Sequence, residues 1–286
     1  MPIIPEVVDY LDELTQIRRD IHAHPELGFT EQRTGDIVAK KLEEWGVEVH
    51  RGLATTGVVG TIRRGNSLRA IGLRADMDCL PMQELNEFAH RSTDDGKMHA
   101  CGHDGHTTML LGAARYLAAT RNFNGVVHFI FQPGEEGYAG GRVMVEEGLF
   151  RQFPCDAVFA MHNKPGIPIG NMAVRPGPML AASDRFDIHV KGRGGHAAHP
   201  HLGTDPFVVA AQIVLALQTI PARNVDPIES SVISIGFMRG GSAYNVIPDE
   251  FHIGGTVRCF RPEVRDLLER RMGEIVRGTA AAHGAA

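Results

Sequence analysis

Two amphipathic segments open the chain. In residues 7–21 apolar side chains recur every three to four positions, and Pro25 ends the pattern. Residues 34–45 show the same spacing, and Gly46 follows them. Because this period places the apolar side chains on one face of a helix, the sequence predicts two amphipathic helices.

Short β-rich segments then alternate with helical ones. The predicted strands are 47–50, 58–62, 68–73, 126–131 and 157–161, and the predicted helices are 107–119 and 140–147. The segments 126–131 and 157–161 are continuous apolar runs, which is typical of buried strands. Strands that alternate with helices predict a layered α/β domain.

The pattern changes after residue 185. The predicted strands are now 186–192, 232–237 and 251–257, and the predicted helices are 206–220 and 262–277. Two helices on one face of an antiparallel sheet account for this order. We therefore predict an α/β domain over residues 1–184 and an α+β domain over residues 185–286.

Composition narrows the class of protein. The chain has 286 residues, of which 43% are hydrophobic and 22% charged, as in globular proteins. The net charge of −5 without a basic stripe argues against nucleic acid as a partner. No secretory signal and no apolar run of ~20 residues is found, which predicts a cytoplasmic protein without a membrane partner. Four cysteines in a chain of this length indicate reduced thiols.

The segment MHACGHDGHTT holds four potential ligands in six residues: Cys101, His103, Asp104 and His106. Thiolate and imidazole bind zinc-like metals, and a Cys-x-His spacing on an extended, glycine-containing loop can turn both donors toward one ion. Asp104 and His106 are then outer or structural groups. Two alternatives stay open: histidines that only hydrogen-bond the backbone, and a cysteine nucleophile with a histidine base.

The segment FIFQPGEEGYAGG carries two carboxylates beyond a predicted strand. The strand ends at Gln132, and a Pro-Gly turn leads to Glu135 and Glu136. Adjacent side chains on an extended chain point different ways, so one carboxylate can bind metal while the other takes a proton from water. Ligand sites form at the carboxyl ends of strands in α/β sheets. The alternative is a solvated acidic turn.

Two further strands end in polar residues. His162 closes the apolar segment AVFAMHN, which repeats the placement of the glutamates and favours a metal ligand over a core or capping histidine. Asp76 and Asp78 follow another strand in RADMD. A carboxylate there can orient a ligating histidine through its second ring nitrogen, and we assign this role to Asp78, with a surface turn as the alternative.

The second domain has its own polar positions. His196, His199 and His201 follow a glycine-rich bend, where imidazoles can contact a substrate carbonyl or carboxylate. Asn245 offers a neutral amide, and Arg258 offers a planar guanidinium suited to a carboxylate. We predict His196, Asn245 and Arg258 as substrate-binding residues, with structural roles as the alternative.

Seven motifs together carry a family resemblance. HAHPELGF, GLRADMDCLP, MHACGHDGHTTMLLGAA, FQPGEEGYAGG, AMHN, GRGGHAAHPH and NVIPDE occur in this order along the chain. They resemble the amidohydrolases of peptidase family M20, subfamily D, which include hippurate hydrolases and plant auxin-conjugate hydrolases. The resemblance implies a zinc-peptidase-like layered α/β catalytic domain, an inserted ferredoxin-like α+β satellite domain, and a homodimer or homotetramer formed through that satellite domain.

The resemblance also implies an activity. It implies two divalent metal ions per subunit and hydrolysis of the amide bond of N-acyl amino acids such as hippurate. Mixed nitrogen, oxygen and sulfur ligands suit zinc, manganese, cobalt and nickel, so the identity of the metal stays open. The implied roles are metal ligands for Cys101, His103, Glu136 and His162, general base for Glu135, and substrate contacts for His196 and Asn245, the histidine acting in the neighbouring subunit's site. The alternative functions are a metal-binding pseudoenzyme and a peptide-binding or dimerisation module without turnover.

The family pattern also includes a C-terminal catalytic segment with a last histidine ligand, which does not occur in these 286 residues. Losing one ligand or outer group costs ~10–100-fold in metal affinity or activity. We therefore expect an incomplete catalytic domain and reduced activity for this chain.

Overall fold

The computed structural model describes residues 4–286. The chain forms two compact units, Met1–Met172 and Ala173–Ala286. Each unit has its own cluster of buried apolar side chains. The predicted domain division after residue 184 falls within the strand Ala182–Lys191 of the second unit.

The first unit contains seven helices and five strands among the described residues. The helices are α1 (Pro5–Val8), α2 (Leu11–Ala23), α3 (Gln32–Glu44), α4 (His103–Thr120), α5 (Glu135–Tyr138), α6 (Gly140–Glu146) and α7 (Leu149–Gln152). The strands are β1 (Glu48–Leu53), β2 (Gly57–Arg64), β3 (Ala70–Asp76), β4 (Gly125–Gln132) and β5 (Ala157–Ala160). The predicted elements occur in the predicted order, but the first predicted helix is interrupted at Asp9 and Tyr10, and the short helices α5 and α7 were not predicted.

These strands form one mixed sheet in the order β1-β2-β4-β3-β5. β2 is antiparallel to β1 and β4, whereas β3 is parallel to both β4 and β5. A mixed sheet with helices on its faces confirms the layered α/β prediction. Because β3, β4 and β5 run in the same direction, their carboxyl ends meet at one edge of the sheet.

Apolar side chains alternate between the two faces of this sheet. On one face Val58 and Phe129 pack with buried residues of α2, α3 and α4. On the other face the neighbouring Val59 and Ile130 pack with Met144 of α6 and with α7. A strand that is covered on both faces needs apolar side chains on both, which explains why the sequence of β4 is a nearly continuous apolar run. Each such side chain contributes roughly 1.5–3 kcal/mol when fully buried.

The prediction of a buried strand at residues 157–161 was wrong. β5 lies at the edge of the sheet, and all four of its residues are exposed. Val158, Phe159 and Met161 have 44%, 57% and 58% of their surface exposed. An apolar run predicts a strand but not its neighbours, and in the described part of the chain β5 pairs only with β3.

The second unit is an α+β arrangement, as predicted. Its strands are β6 (Ala182–Lys191), β7 (Gly195–His196), β8 (Ser231–Arg239), β9 (Val246–Ile247) and β10 (Glu250–Cys259), and its helices are α8 (Pro206–Leu217), α9 (Thr219–Arg223) and α10 (Pro262–Ala282). β6, β10 and β8 form an antiparallel sheet, and β7 pairs with β9. The buried residues of α8 and α10 share one core with alternate side chains of the sheet. Asp205 caps α8, because its Oδ1 accepts the Phe207 backbone N–H at 2.9 Å.

The stretch Pro206–Arg223 is the one helical segment among the described residues that is long and apolar enough to cross a membrane, with a mean hydropathy of 1.3. The sequence, which holds no run of ~20 apolar residues, predicted no such segment. Its inward side chains, including Val209, Ile213, Leu217 and Ile220, are buried in the core of the second unit. Core packing accounts for the 33% of this stretch that is buried, whereas Phe207, Val208 and Leu215 are exposed.

Candidate metal centre

Polar side chains from four segments of the first unit converge at the carboxyl edge of β3, β4 and β5. β3 ends at Asp76, and the turn after β4 carries Glu135 and Glu136. His162 follows β5, and the fourth segment is the start of α4 at His103. Strand ends at this edge are where ligands bind in α/β sheets.

The start of α4 differs from the prediction. The helix begins at His103 rather than at residue 107, so the expected extended Cys-x-His loop was wrong. Gly102 precedes it with φ of +90°, and a Cβ there would lie 2.7 Å from the Asn163 side chain. Only glycine fits this left-handed, crowded position. The turn places Cys101 and His103 beside each other without an extended loop.

His103 is the common member of three clusters of possible metal ligands. Within each cluster, one ligand atom per residue lies within 4.8 Å of the others: Cys101, His103 and His162; Asp76, His103 and His106; His103, Glu135 and Glu136. The two glutamates do not point apart as predicted for an extended chain, since one carboxylate oxygen of each lies within 4.8 Å of the other. The structure thus brings together all five predicted ligand and base residues.

Hydrogen bonds orient two imidazoles toward the centre. His162 Nδ1 donates to the Asn163 backbone oxygen at 2.7 Å, which leaves Nε2 facing Cys101 Sγ at 3.4 Å. His103 Nδ1 lies 3.3 Å from Asp78 Oδ1, which leaves Nε2 for the centre. A carboxylate that holds the second nitrogen of a histidine fixes its tautomer and raises its basicity as a ligand. This geometry supports the outer role predicted for Asp78.

Two buried atoms in the centre lack hydrogen-bond partners among the described residues: His103 Nε2 and Glu136 Oε1, which are 3.9 Å apart. Leaving a buried polar group unsatisfied costs about 1–3 kcal/mol. A cation between them would satisfy both atoms. Thiolate, imidazole and carboxylate donors together suit divalent transition metals, so the residues present fit a metal site.

His106 is engaged differently. Its Nδ1 lies 2.6 Å from Asp76 Oδ1, and its Nε2 accepts the Asn163 backbone N–H at 3.0 Å. Both ring nitrogens of His106 therefore have hydrogen-bond partners, and His106 holds the Asp76 carboxylate in place. The sequence offered Asp76 and His106 only as possible outer or structural groups, and the position of Asp76 as the last residue of β3 was the available signal. Asn163 was missed because nothing but its place after His162 marks it.

Burial, hydrogen bonds and charges in the centre shift three pKa values. Burial opposes protonation of His103, but hydrogen bonds to Asp78 and Cys101 and the nearby Asp76 charge raise its pKa to about 11. Burial, then the charges of Glu136 and Asp76, raise the pKa of Glu135. Burial opposes ionisation of Asp76, but the His106 hydrogen bond and the Arg74 charge lower its pKa. The centre is therefore rich in negative charge, which favours a cation.

The predicted substrate residues all lie in the second unit. The Ala197 backbone N–H donates to the Asn245 backbone oxygen at 3.0 Å, so His196 and Asn245 occupy adjacent segments. Arg258 lies near the far end of β10, opposite Ser183 and Val232. The nine residues from Glu250 to Arg258 span roughly 26 Å of strand. The structure brings His196 and Asn245 together but not Arg258.

A second buried network surrounds His22. Its Nδ1 lies 3.0 Å from Asp104 Oδ2 and its Nε2 lies 3.1 Å from Glu84 Oε1, and both carboxylates are buried. The hydrogen bond to Asp104 is the main cause of the raised pKa of His22. Burial opposes ionisation of Asp104, but the His22 hydrogen bond and the His99 and Arg18 charges lower its pKa to about 2. Asp104 is thus a partner of an imidazolium, not a member of the metal clusters.

This network predicts a pH-dependent stability. Because the pKa of Asp104 is lowered, its contribution to stability is present above pH ~4 and is lost as the pH falls. Because the pKa of His22 is raised, its contribution to stability is present below pH ~6.5 and is lost as the pH rises. We expect His22→Gln to lower the free energy of unfolding by about 1–3 kcal/mol at pH 5.5 and by less at pH 9. Urea unfolding at both pH values measures this, with His24→Gln on the same helix as control. An equal loss at both pH values would contradict the ion pair.

Comparison with known proteins places the chain in a family. The model of peptidase family M20/M25/M40 matches residues 72–281. Hippurate hydrolase of Campylobacter jejuni is 47% identical over 283 residues, covering 99% of this chain and 74% of the relative. N-acetylcysteine deacetylase of Bacillus subtilis is 42% identical, covering 95% of this chain and 72% of the relative.

A solved structure agrees with these relatives. The Bacillus subtilis YXEP protein, described as a dinuclear metal binding peptidase from the M20 family, superposes with a TM-score of 0.77 and 38% sequence identity. The superposition covers 97% of this chain and 72% of that one. These findings confirm the resemblance drawn from the motifs, and the chain belongs to peptidase family M20/M25/M40.

Proposed function

We propose that this chain hydrolyses the amide bond of N-acyl amino acids at a centre of two divalent metal ions. The observation that carries the proposal is the position of His103, which belongs to three ligand clusters and whose buried Nε2 has no hydrogen-bond partner in the part of the chain that the structure describes. Membership of a family of hydrolases and the two amidohydrolase relatives support the reaction. Hippurate and N-acetylcysteine, named in those relatives, are both N-acyl amino acids.

Cys101, His103, Glu136 and His162 would hold the ions. When bound, such ions polarise a carbonyl and lower the pKa of a bound water to ~7, so that hydroxide is available at neutral pH. Mixed sulfur, nitrogen and oxygen donors accept zinc, manganese, cobalt and nickel, which are the metals we propose to test. Asp78 and His106 keep His103 and Asp76 oriented through the contacts described above.

Glu135 would act as the general base and then as the general acid. It is more exposed than Glu136, so its carboxylate is accessible to water and substrate. It takes one proton from the attacking water as the new C–O bond forms at the amide carbon. It then gives that proton to the departing nitrogen as the C–N bond breaks. Its raised pKa suits a group that must both take and return a proton near neutral pH.

The remaining assignments are also proposals. The adjacency of Asn245 and His196 supports a shared role in binding substrate, whereas Arg258 has no such neighbour. We propose a homodimer or homotetramer formed through the second unit and a cytoplasmic location. Sedimentation velocity measures the oligomeric state. Alanine variants of His196, Asn245 and Arg258 should raise KM more than they lower kcat if these residues bind substrate.

Release of glycine from benzoylglycine and of cysteine from N-acetylcysteine tests the function. We expect the chain to release the amino acid when zinc or manganese is present, to stop after treatment with a chelator, and to resume when the metal is restored. Binding of metal and substrate without release would indicate the pseudoenzyme alternative. Turnover by protein shown by elemental analysis to be metal-free would contradict the proposal.

A further inference from the structure

Glu31 is a fully buried carboxylate that the proposed reaction does not use. None of its surface is exposed, and it lies directly before α3. Its two hydrogen-bonding partners from other segments are uncharged, being a hydroxyl and a backbone amide. Burying a carboxylate beside uncharged partners is costly, so its retention calls for a physical reason.

The contacts of Glu31 connect three segments of the first unit. Its Oε2 accepts the Thr56 hydroxyl at 2.6 Å, in the turn between β1 and β2. Its Oε1 accepts the Gly134 backbone N–H at 2.8 Å, in the turn after β4. Its own backbone oxygen accepts the Gly35 N–H at 2.9 Å, in the first turn of α3. The carboxylate thus ties the residue before Glu135 to two fixed elements.

Gly134 occupies a constrained position. Its φ is +57°, and a Cβ there would lie 3.1 Å from the Phe29 ring and 3.2 Å from the Tyr138 Cβ. Its oxygen accepts the Gly140 N–H at 2.9 Å, which closes the turn. On the other side of Glu135, Asp78 Oδ2 accepts the Glu136 N–H at 2.8 Å. Two buried carboxylates therefore hold the backbone on either side of Glu135.

We propose that Glu31 is a positioning residue that sets the place of the Glu135 carboxylate through the Gly134 amide, and that it acts as a hydrogen-bond acceptor rather than as a charge. This inference rests on the proposed role of Glu135 as the base. A displacement of about 1 Å at a reacting group can cost on the order of 10²-fold in rate. The metal ligand Glu136 keeps its own anchor at Asp78, so metal binding does not depend on Glu31.

Three substitutions separate an acceptor from a charge. In Glu31→Gln the amide oxygen accepts from Gly134, and the amide nitrogen donates to the Thr56 oxygen after its hydroxyl rotates, so kcat stays close to wild type. Glu31→Met keeps the length without an acceptor, and kcat falls roughly 10–100-fold with little change in KM. Glu31→Asp keeps the charge but shortens the reach, and its kcat falls between the two. Thr56→Val is the matched control, since it removes a bond to Glu31 but leaves the Gly134 contact.

The experiment combines steady-state kinetics, metal content and amide hydrogen exchange of the peptide that contains Gly134. We expect kcat to decrease in the order Gln, Asp, Met and the metal content to stay unchanged. The amide of Gly134 should exchange faster in the Met variant than in Thr56→Val. Equal kcat in the Met variant and wild type, or a Gln variant as slow as Met, overturns the proposal. Should the wild type release no amino acid, the proposed function fails. In that case amide hydrogen exchange by itself tests the Glu31 proposal, and unchanged exchange of the Gly134 peptide in the Asp and Met variants overturns it.

Discussion

Glu135→Gln is expected to lower kcat for benzoylglycine by at least about 10²-fold while the metal ions remain bound. The amide keeps the shape of the side chain but cannot take a proton from water. The variant leaves the four proposed metal ligands unchanged: Cys101, His103, Glu136 and His162. KM should change little, because the base acts in the chemical step rather than in substrate binding.

The measurement is kcat together with metal content per chain by elemental analysis. Glu146→Gln is the matched control, because Glu146 is a glutamate in the same unit whose side chain is 68% exposed in a surface pair with Arg142. It should leave kcat and metal content at wild-type values. A Glu135→Gln variant with full metal content and unchanged kcat would show that another group is the base.

His103→Ala is expected to abolish tight metal binding and, with it, metal-dependent hydrolysis. His103 belongs to every ligand cluster, so the substitution removes a donor from each of them at once. The loss should exceed the ~10–100-fold expected for an outer contact such as Asp78→Asn. His50→Ala, an exposed histidine on β1, is the control and should bind metal as the wild type does.

The same residue predicts how metal affinity depends on pH. A ligating imidazole must be unprotonated at the coordinating nitrogen, and the pKa of His103 without metal is about 11. Metal must therefore displace a proton, and its affinity should rise between pH 6.5 and pH 8.5. Competition with a coloured chelator at both pH values measures this. An affinity that is equal at both, or higher at pH 6.5, would contradict the assignment of His103 as a ligand.

The sequence predicted the centre because its residues follow a simple rule of α/β sheets. Glu135, Glu136 and His162 each come within four residues after the end of a strand, and parallel strands end at the same edge. The helix begins at His103, four residues before its predicted start, because Gly102 adopts the left-handed conformation that precedes a helix rather than that of an extended loop. The sequence therefore identified residues that meet at this centre, but not the local geometry of the helix start.

Contacts between distant segments could not be predicted in this way. Glu31 looks like an ordinary acid at a helix start, and only the folded chain brings it to Gly134, 103 residues away. The exposure of β5 was missed for a similar reason, since an apolar run does not reveal how many strands flank it. Burial and register are properties of the assembled sheet, whereas the position of a strand end can be seen in one segment.

The most direct test of a two-metal centre is anomalous X-ray scattering from crystals of this chain grown with zinc. We predict two anomalous peaks beside His103, with zinc about 2.3 Å from the Cys101 sulfur and about 2.0–2.1 Å from imidazole nitrogen. The second ion should bind the Glu136 carboxylate. Zinc found only at other places on the surface, with no peak near His103 Nε2, would contradict the account.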